Sequence, residues 1–241
     1  MNNKFKILST GQAGFIFETS DCCKIGVDLY LSNCCERYFG FKRLMPYLCN
    51  PLELKLDVLV ATHAHFDHFD PDSVPLILGN NKTEMVCAKD VKAEIERLGL
   101  EKYSITYLCD GEVFENQSVR ITAMPCDHGS DTPYAIGILL EADGKRIYIA
   151  GDTCYREDYF LSEELKNIDV FIMPINGAFG NMNESEGAKA ASVVKAKLNI
   201  PCHYWNFAEH GGNPALFVKE IQEKYPEVKY LVMRPGEEIE L

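Results

Sequence analysis

Apolar and β-branched residues gather in short runs along this chain rather than in long helical stripes. Runs at Phe5–Leu8, Phe15–Glu18, Lys24–Asp28, Val58–Ala61, Val119–Ala123, Ala135–Glu141, Arg146–Ala150, Val170–Pro174 and Tyr230–Met233 read as strands. Asp143-Gly144, between two of these runs, is a hairpin turn. Helices interleave. Asp70-Pro71 supplies an N-cap and first helical position for a helix toward Leu78. Asp90 caps a helix with apolar residues at 91, 95 and 98 and a stop at Gly99. Asn183 with Glu186 forms a capping box for a helix to about Leu198, and Asn213-Pro214 opens the last helix. Hairpins and helices in this alternation predict an α/β protein with more than one sheet.

The chain shows no low-complexity segment, charge block or linker, so one domain over residues 1–241 is expected. Its net charge is −12, which argues against broad nucleic-acid or anionic-membrane binding, because both run on Lys and Arg neutralising phosphates. No apolar run approaches the roughly 20 residues of a membrane span, and the N-terminal stretch lacks the order of a secretory signal. The expected setting is cytoplasmic. Ten cysteines include the vicinal pairs Cys22-Cys23 and Cys34-Cys35 but no CxxC, so zinc-ribbon and thioredoxin readings lack support. The cysteines read as reduced, small hydrophobic residues. Cys126, Cys154 and Cys202 lie within two residues of the candidate ligands below.

Those ligands begin in "THAHFDHFD", residues 62–70, which holds three of only six histidines. His63 and His65 project to one side of an extended loop; Asp67 and His68 follow a turn and can face a second ion. The loop links a strand to a helix, at a strand's C-terminal end where α/β sites form. Imidazole and carboxylate together suit Zn²⁺, Mn²⁺ and Fe²⁺. Further ligands are needed. His128, Asp152 (in "IAGDT") and His203 each follow the end of an apolar run, as convergent strand ends require.

HxHxDH at 63–68, His128, Gly151-Asp152-Thr153 and His203 together resemble the metallo-β-lactamase superfamily in order and loop context, over the whole chain. The opening "GQAGFIFETSDCCKIGVDLYLS" is similar to that superfamily's first strands, with Asp28 just past an apolar run. The resemblance implies an αββα four-layer sandwich with a two-metal site at one edge. By carry-over, His63, His65 and His128 would hold one ion, Asp67, His68 and His203 the other, and Asp152 would bridge them. Two such ions bridging a hydroxide lower its pKa and polarise a carbonyl or phosphoryl oxygen, so hydrolysis is the implied reaction, with Asp67 and Asp152 the catalytic carboxylates. The cofactors expected are two divalent ions, Mn²⁺ or Zn²⁺, with Fe²⁺ also compatible.

Stretches at 42–46, 66–75, 173–191 and 203–218 resemble the L-ascorbate-6-phosphate lactonases and their relatives, implying opening of a lactone or small ester, phosphorylated in the case of L-ascorbate 6-phosphate. The chain is shorter than full-length lactonases. Asn176 either hydrogen-bonds substrate or holds its turn. His210, before two glycines, either contacts substrate or supports the site. Trp205 and Tyr204 read as packing, and Lys42, Arg43 and Arg156 as a solvated face or a phosphate contact. A small-molecule partner is expected, without nucleic acid or membrane; homo-oligomerisation stays open. The competing functions are a phosphodiesterase of the same fold and a metal- or metabolite-binding protein without turnover.

Overall fold

The computed structural model describes residues 4–80 and 82–241; residues 1–3 and Asn81, inside the span expected to be one domain, lie outside the described residues. Its first sheet is built from β1 (Lys6–Gly11), β2 (Gly14–Glu18), β3 (Lys24–Val27), β4 (Val58–Ala61), β5 (Glu84–Ala88) and β6 (Ile105–Leu108). The second is built from β7 (Val113–Glu115), β8 (Arg120–Met124), β9 (Gly137–Ala142), β10 (Lys145–Ile149), β11 (Val170–Pro174) and β12 (Leu198–Cys202). A last strand, β13 (Glu238–Glu240), returns to pair with β1.

The second sheet shows why its strands read as continuous apolar runs. Ile138, Leu140, Ile147, Ile149, Val170 and Ile172 belong to the core shared with the first sheet. The alternate residues Leu139, Tyr148, Phe171 and Met173 belong to a second core on the opposite face. Successive strand residues point to opposite faces, so a strand covered on both sides carries no polar alternation. Helices α2 (Val74–Asn80) and α3 (Lys92–Leu98) contribute Ile77, Leu78 and Ile95 to the first core. Phe160 of α4 (Glu157–Phe160), Ala188 and Ala191 of α5 (Glu184–Val194), and Phe217 and Ile221 of α6 (Pro214–Lys224) complete the second. The result is the helix–sheet–sheet–helix order that the resemblance implies. A short helix, α1 (Cys34–Phe39), lies apart from these layers, with Cys34 and Cys35 packed against Tyr30 and Phe207.

Several local expectations hold for identifiable reasons. The Asn183 side chain accepts from Glu186 N while Glu186 accepts from Asn183 N, closing the capping box of α5. Asn213 accepts from Ala215 N and Leu216 N ahead of Pro214. Asp143 and Gly144 both have positive φ, as a two-residue hairpin with the primed twist requires.

Others need correction. Tyr230–Met233 forms a single bridge to Asn199 rather than a strand. Helix α5 ends at Val194, not Leu198, because Lys195 turns left-handed and Leu198 begins β12. Asp90 caps nothing; it sits in a 3₁₀ turn, Lys89–Val91, ahead of α3. Strands β5, β6, β7 and β13 and helices α1 and α4 went unread, most being too short for periodicity to mark.

Topology decides where the chemistry falls. Strands β3 to β6 run parallel, as do β10 to β12, and β1 and β8 share those directions through two antiparallel steps. The segments that follow β1, β3, β4, β8, β10 and β12 therefore meet along one edge of the sandwich.

Candidate metal centre

Each strand end delivers one piece: Gln12 after β1, Asp28 after β3, residues 62–68 after β4, His128 after β8, Asp152 after β10 and His203 after β12. Gln12, Asp28 and His203 all hold positive φ (54°, 49° and 63°), a region non-glycine residues enter at a cost. Gly151, before Asp152, has φ +66°, and a Cβ there would lie 2.7 Å from the Ile136 carbonyl oxygen, so glycine is needed at that turn.

The first cluster joins His63, His65 and His128. His65 Nδ1 lies 3.0 Å from His63 Nε2 and 3.1 Å from His128 Nε2. Nitrogen ligands about 2.0–2.1 Å from a tetrahedral ion stand about 3.3 Å apart. Remote partners fix the tautomers. His63 Nδ1 faces Thr62 Oγ1 at 3.1 Å, and Thr62 Oγ1 donates to Asp28 Oδ2, so the His63 proton sits on Nδ1 and Nε2 is free for the cluster. His65 Nε2 donates to Asp131 at 3.0 Å, leaving its Nδ1 free.

The second cluster gathers Asp67, His68 and His203. His203 Nε2 lies 3.3 Å from both Asp67 Oδ2 and His68 Nε2. His68 Nδ1 donates to Asp28 Oδ2 at 2.8 Å, which turns its Nε2 to Asp152 Oδ1, 3.3 Å away. Asp152 stands between the clusters: its Oδ2 is 3.1 Å from His203 Nε2 and 3.8 Å from His128 Nε2, and it accepts from Asn181 Nδ2 at 2.7 Å. The structure thus brings together His63, His65, Asp67, His68, His128, Asp152 and His203, placed at strand ends by the sequence.

His210 joins them more closely than a substrate contact would. It is buried, with Nδ1 3.9 Å from Asp67 Oδ2, and it forms a third ligand-like group with Asp67 and His203. Asn176 does not line the cavity; its Nδ2 donates to the Ala178 carbonyl and holds the turn after β11. Tyr204 hydroxyl donates to Met233 O, in keeping with packing, while Trp205 packs edge-on against Tyr204 and stays exposed. Arg43 donates to the Tyr30 and Ser32 carbonyls, and Arg156 pairs with Asp127 and Asp158; Lys42 is exposed.

Sequence reasoning gave no part to Gln12. Its Nε2 donates to Asp67 Oδ2 at 2.8 Å and lies 3.1 Å from His203 Nε2 and 3.0 Å from His210 Nδ1; its carbonyl accepts from His203 N. The available signal was a buried amide in a Gly-Gln-Ala-Gly hairpin of apolar strands. Asp28, Asp131 and Asn181 were likewise given no role. Cys126 Sγ donates to the Asp152 carbonyl, a thiol that burial pushes far up and keeps unreactive.

Burial and charge set the protonation states. Burial, then the neighbouring His68, holds His63 well below the ordinary imidazole range. Burial also lowers His128, and it lowers His210, with help from His203, to about 4. His203 goes the other way: burial opposes its charge, but Asp152 and Asp67 outweigh that and raise it to about 9. His68 rises for the same reason, under Asp152, Asp28 and Asp67. Burial works against the charges of Asp67 and Asp152, yet His68 and His203 hold both well below the usual carboxylate range.

This donor set fits a divalent ion. Imidazole nitrogens with their lone pairs turned to one another, and a buried Asp152 Oδ1 without a hydrogen-bond partner, ask for a cation.

The comparisons agree. Residues 30–204 match a family model described as a beta-lactamase superfamily domain. A UPF0173 metal-dependent hydrolase of Pyrococcus abyssi is 33% identical over 98% of this chain and 99% of its own. The fold and the site are those of a metal-dependent hydrolase of the metallo-β-lactamase fold. Within that superfamily, the chain belongs to the UPF0173 metal-dependent hydrolases. Among solved structures it is similar to the metallo hydrolase Igni18 of Ignicoccus hospitalis, with TM-score 0.78 and 23% identity over 99% of both chains. It is also similar to an isothiocyanate hydrolase from Delia radicum gut bacteria, with TM-score 0.78 and 20% identity over 98% of both. No helix among the described residues is long and apolar enough to cross a membrane.

Proposed function

We propose that this hydrolase opens a lactone or small carboxylic ester, a small-molecule substrate, at a site holding two divalent ions, Mn²⁺ or Zn²⁺, with Fe²⁺ a third candidate. His63, His65 and His128 would hold one ion, and Asp67, His68 and His203 the other, with Asp152 between them. The observation that carries this reading is the position of Asp152 Oδ2, within 4 Å of a histidine nitrogen from each cluster. Divalent ions there would supply Lewis acidity toward a carbonyl oxygen and would acidify a water. The chain's own residues do the rest. Asp67, held ionised against its burial by His68 and His203 and oriented by Gln12, is placed to take a proton, and His210, neutral above about pH 4, is a second acceptor beside it. Reduced thiols around the site, among them Cys35, Cys126 and Cys202, suit a reducing, cytoplasmic setting.

The test measures metal content together with initial rates on lactones, aryl esters and an aryl phosphodiester, with Asp152→Ala as the comparison. L-Ascorbate 6-phosphate, the compound implied by the sequence resemblance, belongs in the lactone set. Ester or lactone turnover lost in Asp152→Ala, along with bound metal, is expected. Phosphodiester turnover far above that of every lactone would move the reading to a phosphodiesterase. A metal-filled protein that leaves every compound intact would make it a binding protein.

A further inference from the structure

The walls of the catalytic cavity differ in chemistry from its floor. The cavity measures about 560 Å³, within the usual range for a small-molecule site. Histidines and aspartates of the metal centre form the floor. Above them stand Phe39, Phe41, Phe66 and Phe179, drawn from three separate segments into one band. Their ring centroids lie 5.5 Å apart for Phe39–Phe66, 6.2 Å for Phe39–Phe41 and 5.9 Å for Phe41–Phe179.

Two of these rings are held against their own preference. Phe39 is 55% exposed and Phe179 57% exposed, which leaves large apolar surface in water at the mouth of a site. Phe179 also has a φ of +54°, a region a bulky side chain rarely enters. Strain spent on presenting an exposed phenyl ring over a reaction centre points to what that ring meets.

Charge gives an independent constraint. No Lys or Arg is among the described residues lining the cavity; the charged groups there are Asp67, Asp131 and Asp152, apart from the histidines. Asp131 stands at the rim with its side chain 72% exposed. The arginines nearest in sequence to the band are tied elsewhere: Arg37 to Asp72, and Arg43 to two main-chain carbonyls. Arg97, 5.9 Å from the Phe66 ring centroid, pairs with Glu94, and Lys42 beside Phe41 is exposed; neither lines the cavity, so an anionic tail inside it would meet the rim carboxylate and phenyl faces.

We infer that the substrate carries an uncharged apolar group, an aryl ring or a medium-length acyl chain, beside the scissile bond, and that the phenylalanine band binds this group. The inference rests on the hydrolase reading only for the nature of that bond; the tail assignment comes from the cavity itself. It excludes a phosphorylated or carboxylated tail.

Hydroxamates, which share one metal-seeking head, report the tail preference by binding alone. The zinc-loaded protein is titrated by calorimetry with acetohydroxamate, benzohydroxamate, octanohydroxamate and 4-carboxybenzohydroxamate. A buried methylene is worth about fourfold in affinity. Benzo- and octanohydroxamate should therefore bind at least tenfold tighter than acetohydroxamate, and the added carboxylate should remove at least tenfold. Phe179 is exposed, so Phe179→Ser is expected to fold and to narrow the gap between apolar and acetyl tails; Phe179→Lys should recover affinity for the carboxylated probe. Equal affinities, tightest binding of the carboxylated probe, or no binding of the apolar probes overturns the assignment. The ranking without turnover of any ester would leave the tail assignment standing and sink the hydrolase reading. Ester turnover with a flat or reversed ranking would do the opposite.

Discussion

His68 Nδ1 lies 2.8 Å from Asp28 Oδ2, and both side chains are buried out of reach of solvent. That same carboxylate accepts from Thr62 N at 2.8 Å and from Thr62 Oγ1 at 2.7 Å, and Thr62 in turn faces His63 Nδ1. One aspartate outside the candidate ligand set therefore fixes the tautomers of two candidate ligands, one in each cluster. Such carboxylate–histidine support orients the ring and makes the ligand nitrogen more basic.

Asp28→Asn should test this directly. Thr62 N can still donate to the amide oxygen, so the loop keeps its anchor. The amide nitrogen, however, would face His68 Nδ1 with a donor and push the proton to Nε2, the atom turned to Asp152. Metal affinity should fall about 10–100-fold, read by competition with a chromogenic chelator, with the far-ultraviolet dichroism unchanged. Wild-type affinity in a folded Asp28→Asn would rule the relay out.

Protons and metal should compete for His203. In the metal-free protein its pKa is raised from about 6.5 to about 9, chiefly by Asp152 acting against burial. A raised pKa means that the protonated form stabilises the fold below pH 6.5 and that this contribution disappears as pH rises through 9. Chelator-treated protein should thus lose urea resistance between pH 6.5 and 9, where metal affinity rises as the ion no longer displaces a proton. Calorimetry at pH 7.5 in two buffers of different ionisation enthalpy should show proton release on metal binding. An identical heat in both buffers would contradict the assignment.

Gln12→Leu removes the donor that Asp67 Oδ2 receives while keeping a side chain of similar bulk. A hydrogen bond to a charged group is worth about 1.5–3 kcal/mol, and the chelator-treated variant should be destabilised by that amount in urea titrations. With Asp67 no longer steered, kcat on the best ester should also fall, by about tenfold or more, while KM changes less. No change in either quantity would make Gln12 a bystander of the hairpin.

The candidate ligand set was legible because its residue types are scarce and chemically narrow. Six histidines in 241 residues, three of them in one loop, leave few sets of partners to choose among. Asp152 stood out through its Gly-Asp-Thr context at a strand end. Gln12, Asn181 and Asp131 are common polar residues whose meaning depends on neighbours far along the chain: Gln12 meets Asp67 across 55 positions and His203 across 191. Asp28 was visible as a residue past a strand, but nothing local said that it would stand under His68. Asn176 and His210 looked alike in sequence, each in a loop beside glycines; the fold keeps Asn176 in its own turn and places His210 beside Asp67.

The sequence by itself determined most of the longer strands, the N-terminal caps of helices α5 and α6, and the candidate metal-seeking side chains, since backbone propensity and ligand chemistry are carried by individual residues and their near neighbours. Tertiary structure alone decided which hydrogen bond each histidine makes with its second nitrogen, and which phenylalanines stand over the site. Those depend on distances between segments that no local pattern records, set by the parallel strand order that brings six strand ends to one edge.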